Sequence, residues 1–106
     1  MDTPRILSRD EAIDIVRQYK QVISLHYKTV PKVFMYGSYA KGSPNPWSDI
    51  DVAVIVPKID EGKWLDWSQR LVHDGHNVND LIEPVLLEEH EKSILYDDVI
   101  RTGVAV

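Results

Sequence analysis

Val33-Phe34-Met35-Tyr36-Gly37-Ser38-Tyr39-Ala40-Lys41-Gly42, followed by Ser43-Pro44-Asn45-Pro46-Trp47-Ser48 and then Asp49-Ile50-Asp51-Val52-Ala53-Val54-Ile55-Val56, is the stretch that decides how this chain is read. A short apolar run leads into Gly-Ser. After ten intervening residues a second apolar run opens with Asp49-Ile50-Asp51. If Val33 to Tyr36 is a strand and Ser38 to Lys41 a helical turn, Gly37 lets a phosphate approach the backbone. Free N–H groups and the Ser38 hydroxyl then donate to it. On a second strand, Asp49 and Asp51 share a face with their side chains roughly 6.5–7 Å apart. Left unpaired, two like charges there raise each other's pKa and weaken the fold. A hard divalent cation removes that penalty, and Mg²⁺ characteristically takes one or two carboxylates plus substrate phosphate oxygens.

Either half alone is common: Gly-Ser serves as an ordinary strand-to-helix turn, and Asp-x-Asp as a turn cap beside an exposed strand position. The combination, each half joined to its apolar run, is much rarer and carries the functional reading.

Gly37-Ser38-Tyr39-Ala40-Lys41-Gly42 followed by Ser48-Asp49-Ile50-Asp51-Val52-Ala53-Val54 resembles the signature of the DNA polymerase β nucleotidyltransferase superfamily. In length the chain is similar to the minimal nucleotidyltransferases, or MNT proteins. The resemblance implies a polymerase β-like fold and nucleotidyl transfer from a nucleoside triphosphate, ATP as donor, assisted by two Mg²⁺ ions. It further implies an antitoxin role beside a helical HEPN toxin, as in many members. Carried onto this chain, it puts phosphate binding on Gly37, Ser38, Lys41 and Ser48, and metal binding on Asp49 and Asp51. It also implies a third carboxylate from a neighbouring strand.

The rest of the chain frames this motif. Ser8 and Glu11 form a capping box, and Ala12, Ile13, Val16, Tyr19, Ile23 and Tyr27 recur at helical spacing, predicting an amphipathic helix from about Arg9 to Tyr27. Pro31 lies beyond its end, and Gly42 stops the short turn after Gly37. Prolines stiffen the loop before Asp49. Trp47 within it packs against the protein or stacks on a base, with packing favoured for so large an apolar surface. On the strand from Asp49 to Val56, Ile50, Val52, Val54 and Val56 form the face that meets the helices. Asp49, Asp51, Ala53 and Ile55 form the other.

Trp64, Trp67 and Leu71, with Leu65 and Val72, predict a second long helix reaching Gly75, its aromatic stripe read as core rather than as a base-stacking platform. His73 and His76 straddle the end of that helix with no third ligand, which argues against zinc. A strand from about Asn77 to Leu87 supplies the third acid. Alternation groups Asp80 with Val78 and Ile82, and Glu83 with Asn79 and Leu81, so Glu83 is preferred for the site, while a one-residue bulge would favour Asp80. Glu88 to Lys92 reads as a solvated connection. Ser93 caps a last helix holding Ile94, Leu95, Val99 and Ile100, which Gly103 ends. Val104 to Val106 adds a short edge strand or pairs with a partner. The fold class is therefore α/β (α+β): a small mixed sheet with helices on one face and carboxylates on the other.

Length and charge narrow the function. The 106 residues suffice for one core burying roughly 60–70% of the unfolded surface, hence a single nucleotidyltransferase domain, 1–106. Cysteine is absent, which removes disulfides, thiolate zinc sites and cysteine nucleophiles. No apolar stretch approaches the ~20 residues that span a bilayer, and Met1 to Ile6 lacks a signal-peptide apolar region, so the expected compartment is the cytoplasm. A net charge of -5 works against non-specific nucleic-acid binding. The acceptor expected is therefore the hydroxyl of a protein or small molecule, with Asp49, Asp51 and Glu83 the catalytic and metal-binding set and Glu83 the base. Two rivals stand beside this reading: a catalytically idle module that docks a helical partner, and a tRNA- or DNA-directed enzyme, which the charge and length disfavour. The sequence leaves self-association as a homo-oligomer open.

Overall fold

In the computed structural model, which describes residues 5–106, the first helix, α1 (Arg9–Ser24), starts where its cap requires. The Ser8 side chain accepts from the Glu11 N–H, and the Glu11 carboxylate accepts from the Ser8 N–H, satisfying two otherwise orphaned donors. Of the segment Met1 to Ile6, the residues through Pro4 lie outside the described range. Ala12, Val16, Tyr19 and Ile23 form the buried face of α1. The helix stops three residues short of Tyr27. The N–H groups of Leu25 and His26 turn back to the carbonyls of Val22 and Ile23, tightening the last turn, and Tyr27 stacks on Trp67 with ring centroids 4.6 Å apart.

Four strands form one mixed sheet. β1 (Lys32–Tyr36) is followed by the short α2 (Ser38–Lys41), and β2 (Ile50–Val56) by α3 (Trp64–Val78). β3 (Ile82–Glu88), α4 (Ile94–Thr102) and β4 (Val104–Ala105) complete the order. Across the sheet the strands run β3-β2-β1-β4. β1 is antiparallel to both neighbours, and β2 is parallel to β3. The long α3 is the crossover that a parallel pair needs. Val104 to Val106 resolves as an edge: Val104 pairs with Met35, Ala105 with Phe34, and the Val106 N–H reaches the Val33 carbonyl.

The mixed sheet and the α/β class are as expected, but the helices do not all lie on one face. Ile50, Val52, Val54 and Val56 pack with Val16, Tyr19, Ile23 and Leu71 under α1 and α3. The opposite face is covered as well, because Ala53, Ile55 and Leu87 bury against Val99 of α4. Full burial of a side chain such as Ile55 contributes about 1.5–3 kcal/mol, and the apolar stripe of α4 supplies the cover. Only the end of that face, from Asp51 outward, is left for chemistry.

The second correction concerns Gly75. It does not end α3, which continues to Val78. Instead it lets the helix close on the sheet, since a Cβ there would come within 3.0 Å of Ile82 Cγ2. Asn77 and Val78 are consequently helical, and β3 begins only at Ile82. On the same helix Leu71 is buried and Trp67 partly so, whereas Trp64, Leu65 and Val72 are exposed, so the expected core stripe is narrower than its sequence suggests.

Candidate active site

Gly37 closes β1 in a conformation that L side chains rarely adopt, with φ at 72° and ψ at -151°. The turn it makes starts α2, where the Lys41 N–H bonds to the Gly37 carbonyl and Gly42 ends the turn in the left-handed region. Gly37 also stands against the acidic residues. A Cβ built on it would collide with Asp51 Oδ2, so any side chain there would displace the carboxylate. Glycine is required here twice over, by its backbone angle and by the space Asp51 occupies.

Sheet register explains why Asp51 lies so close. Tyr36, directly before Gly37, pairs with Asp51 across the antiparallel β1–β2 ladder, and Asp51 pairs with Glu83 across the parallel β2–β3 ladder. Neighbouring strands are about 4.8 Å apart, so Tyr36, Asp51 and Glu83 form a row across the sheet. Asp49 stands just ahead of β2. Burial pushes the half-buried Asp51 carboxyl above its ordinary value, and the nearby charges of Asp49 and Glu83 push it further. Burial raises the Tyr36 phenol to about 12, with Asp51 and Glu83 adding to the rise. The two candidate third acids differ in place. Glu83 is on the strand beside Asp51, whereas Asp80 is exposed in the turn between α3 and β3, outside the alternation used to compare them.

The loop into Asp49 is held by its own polar groups. Ser48 Oγ accepts from the Asn45 N–H at 2.9 Å, and Asn45 Oδ1 accepts from the Trp47 N–H at 2.8 Å. The Ser48 hydroxyl thus shapes the approach to Asp49. Trp47 is 78% exposed, so the packing expected of it is absent. Lys41, at the end of α2, is exposed, and Ser38 is partly buried. Two features escaped the sequence reading, the Tyr36 position in the row and the contact of Gly37 with Asp51. Both depend on the antiparallel pairing of β1 with β2, which no local sequence pattern specifies.

The donor set suits Mg²⁺. Asp49, Asp51 and Glu83 stand at one sheet end, and burial, with the like charges of Asp49 and Glu83, disfavours the ionised Asp51 carboxylate, a penalty that a cation would relieve. Among the described residues no three acidic or histidine side chains close into a ready-made metal cage. Mg²⁺ is ordinarily held by one or two carboxylates together with substrate phosphates, rather than by an all-protein cage. The sheet end is open; the apolar hollow of about 280 Å³ between Tyr27, Val56, Ile59 and Trp67 lies at the other end of β2.

The chain is similar in sequence and fold to known proteins. Residues 17–106 match the family described as Polymerase beta, Nucleotidyltransferase. A relative from Methanocaldococcus jannaschii, provisionally named a protein adenylyltransferase, is 29% identical over 101 residues, covering 91% of this chain and 99% of its own. A crystal structure of a provisionally named nucleotidyltransferase from Sulfolobus solfataricus superposes with a TM-score of 0.66 at 18% identity, covering 98% of this chain and 90% of that one. A toxin–antitoxin structure with AMP-PNP gives a TM-score of 0.53 at 20% identity, covering 93% of this chain and 72% of that one. A mutant of the toxin–antitoxin MntA-HpeT gives 0.52 at 20% identity, covering 95% and 72%. With the family match spanning most of its length, and a Gly-Ser turn set against paired aspartates on a mixed sheet, the chain belongs to the polymerase beta nucleotidyltransferase family and is a nucleotidyltransferase.

Proposed function

We propose that this protein transfers AMP from ATP, with two Mg²⁺ ions, to a hydroxyl of a protein or small-molecule acceptor, and that it acts in the cytoplasm as a single domain, 1–106, beside a helical HEPN-type partner. The observation that carries the chemistry is Asp51, half-buried against Gly37 and raised by burial and by the charges of Asp49 and Glu83. The provisional name of the Methanocaldococcus jannaschii relative supports AMP as the group transferred. The toxin–antitoxin structures among the structural neighbours support a protein partner.

Gly37 and Ser38 grip the terminal phosphates, Lys41 adds positive charge, and Ser48 fixes the loop that presents Asp49. Asp49 and Asp51 would hold Mg²⁺ and Glu83 would complete a second ion's site; bound there, the cations would supply positive charge for phosphoryl transfer. Glu83 takes the proton from the acceptor hydroxyl. The protein's share is position and charge. Incubating the chain with α-labelled ATP and Mg²⁺ beside the product of the adjacent gene tests the reading. Label on that partner is expected, and a partner that stays unlabelled while ATP is consumed would overturn the partner as acceptor.

A further inference from the structure

The proposed mechanism leaves one hydroxyl in the site without a task. Tyr36 stands in register with Asp51, which stands in register with Glu83, and in-register side chains on adjacent strands share a face. Tyr36 packs against the buried cluster of Ala53, Ile55, Leu87 and Val99 beside α4, and a phenol is long enough to extend across one strand spacing. Among the described residues its oxygen has no hydrogen-bond partner, and it is not among the polar atoms sealed from solvent. An accessible, uncommitted hydroxyl thus sits in the row next to Asp51, with Glu83 one strand beyond, and one residue before the phosphate-binding turn.

We propose that Tyr36 is itself an acceptor, and that the chain transfers a nucleoside monophosphate to its own Tyr36 hydroxyl when no other acceptor is bound. The phenolic oxygen attacks the α-phosphorus of the triphosphate and forms a tyrosyl O–P bond. The bond from the α-phosphorus to the oxygen bridging to the β-phosphate breaks, pyrophosphate leaves with that electron pair, and the phenolic proton passes to the Glu83 carboxylate. No oxidant or further reactant is needed. The product is a phosphodiester lying over Asp51 and Glu83, so a modified chain no longer admits a second acceptor, and self-transfer acts as a brake on the enzyme.

The inference rests on the nucleotidyl-transfer reading, and the experiment separates the two. The chain alone is incubated with Mg·ATP and followed by intact mass and peptide mapping, while calorimetry on the same preparation measures Mg·ATP binding. The expected result is one added AMP per chain on the peptide carrying Tyr36. Its rate per chain should not change on dilution, as a reaction within one molecule requires, and it should be lost in Tyr36→Phe, which keeps the ring and whose fold circular dichroism checks. Mg·ATP binding without AMP on Tyr36 would overturn the self-transfer and leave the nucleotidyl-transfer reading standing, as would AMP mapped to another residue or retained in Tyr36→Phe. Absence of Mg·ATP binding would overturn both.

Discussion

At the residue scale, the proposed site is a charge problem that its ligand solves. Folding raises the Asp51 carboxyl through burial and the nearby charges of Asp49 and Glu83, so the folded chain binds that proton more tightly than the unfolded chain does. Such a group contributes stability that is fully present below its unfolded value and lost as pH rises through its folded value. At neutral pH the ionised carboxylate is therefore a cost. Asp51→Asn should raise the urea midpoint near neutral pH, leave it unchanged in acid below the usual carboxylate range, and abolish Mg·ATP binding by calorimetry. A lower midpoint at neutral pH would mean that the charge has a partner in the folded chain. The third acid is tested in the same way. Glu83→Gln should leave triphosphate binding nearly whole and slow transfer by the ~10²–10⁴-fold expected for losing a general base. Asp80→Asn, exposed in its turn, should do little. Steady-state rates of the two variants separate them, and a collapse in Asp80→Asn alone would reverse the assignment.

At the element scale, α3 sets where β3 can begin. Helical backbone runs through Gly75 to Val78 because Gly75 packs against Ile82 and Tyr19, and β3 then enters the sheet at Ile82 with Glu83 level with Asp51. The Asn79 side chain fixes the turn between them by accepting from the Leu81 N–H at 2.9 Å. A branched side chain at position 75 would push the helix off the sheet. Gly75→Val should cost about 1–3 kcal/mol, the range for overpacking a tight contact, read by chemical denaturation. It should also lower transfer by displacing β3. Unchanged stability would show that Ile82 yields freely and that Gly75 has another role. α4 acts from the opposite side: by burying Val99 against Ala53, Ile55 and Leu87, it confines open chemistry to the sheet end.

At the scale of the whole molecule, the parts that hold α1 respond to pH in the opposite direction from Asp51. Hydrogen bonding to Arg5 first, and to the Ser8 N–H next, lowers the exposed Glu11 carboxyl to about 2. A depressed carboxyl contributes stability that is present above its unfolded value and lost as pH falls through its folded one. Stability should therefore decline on acidification from about pH 4.5 toward about pH 2, and Glu11→Gln should flatten that decline. Thermal melts of the two proteins across this range check it, and parallel curves would show that other carboxylates dominate acid unfolding. Because α1 covers the buried faces of β1 and β2 through Val16, Tyr19 and Ile23, loosening its first turn is expected to reach the sheet and the carboxylates it carries.

Local chemistry made much of this protein legible in its residues alone. The capping box at Ser8, the turn from Gly37 to Gly42, the alternation from Ile50 to Val56 and the serine cap at Ser93 involve neighbours a few positions apart, so their physics is written in the chain. The pairing of a Gly-Ser turn with Asp49 and Asp51 is legible for the same reason. What only the tertiary structure decided depends on residues far apart. Gly75 looks like a helix terminator until Ile82 is found against it, and Ala53 and Ile55 look like a solvent-side face until α4 covers them. Tyr36 looks like the end of a strand until register sets it beside Asp51 and Glu83. Periodicity specifies which face of an element is apolar, but which element buries that face, and which distant charges meet at its end, is fixed only when the sheet closes and the helices settle on both of its sides.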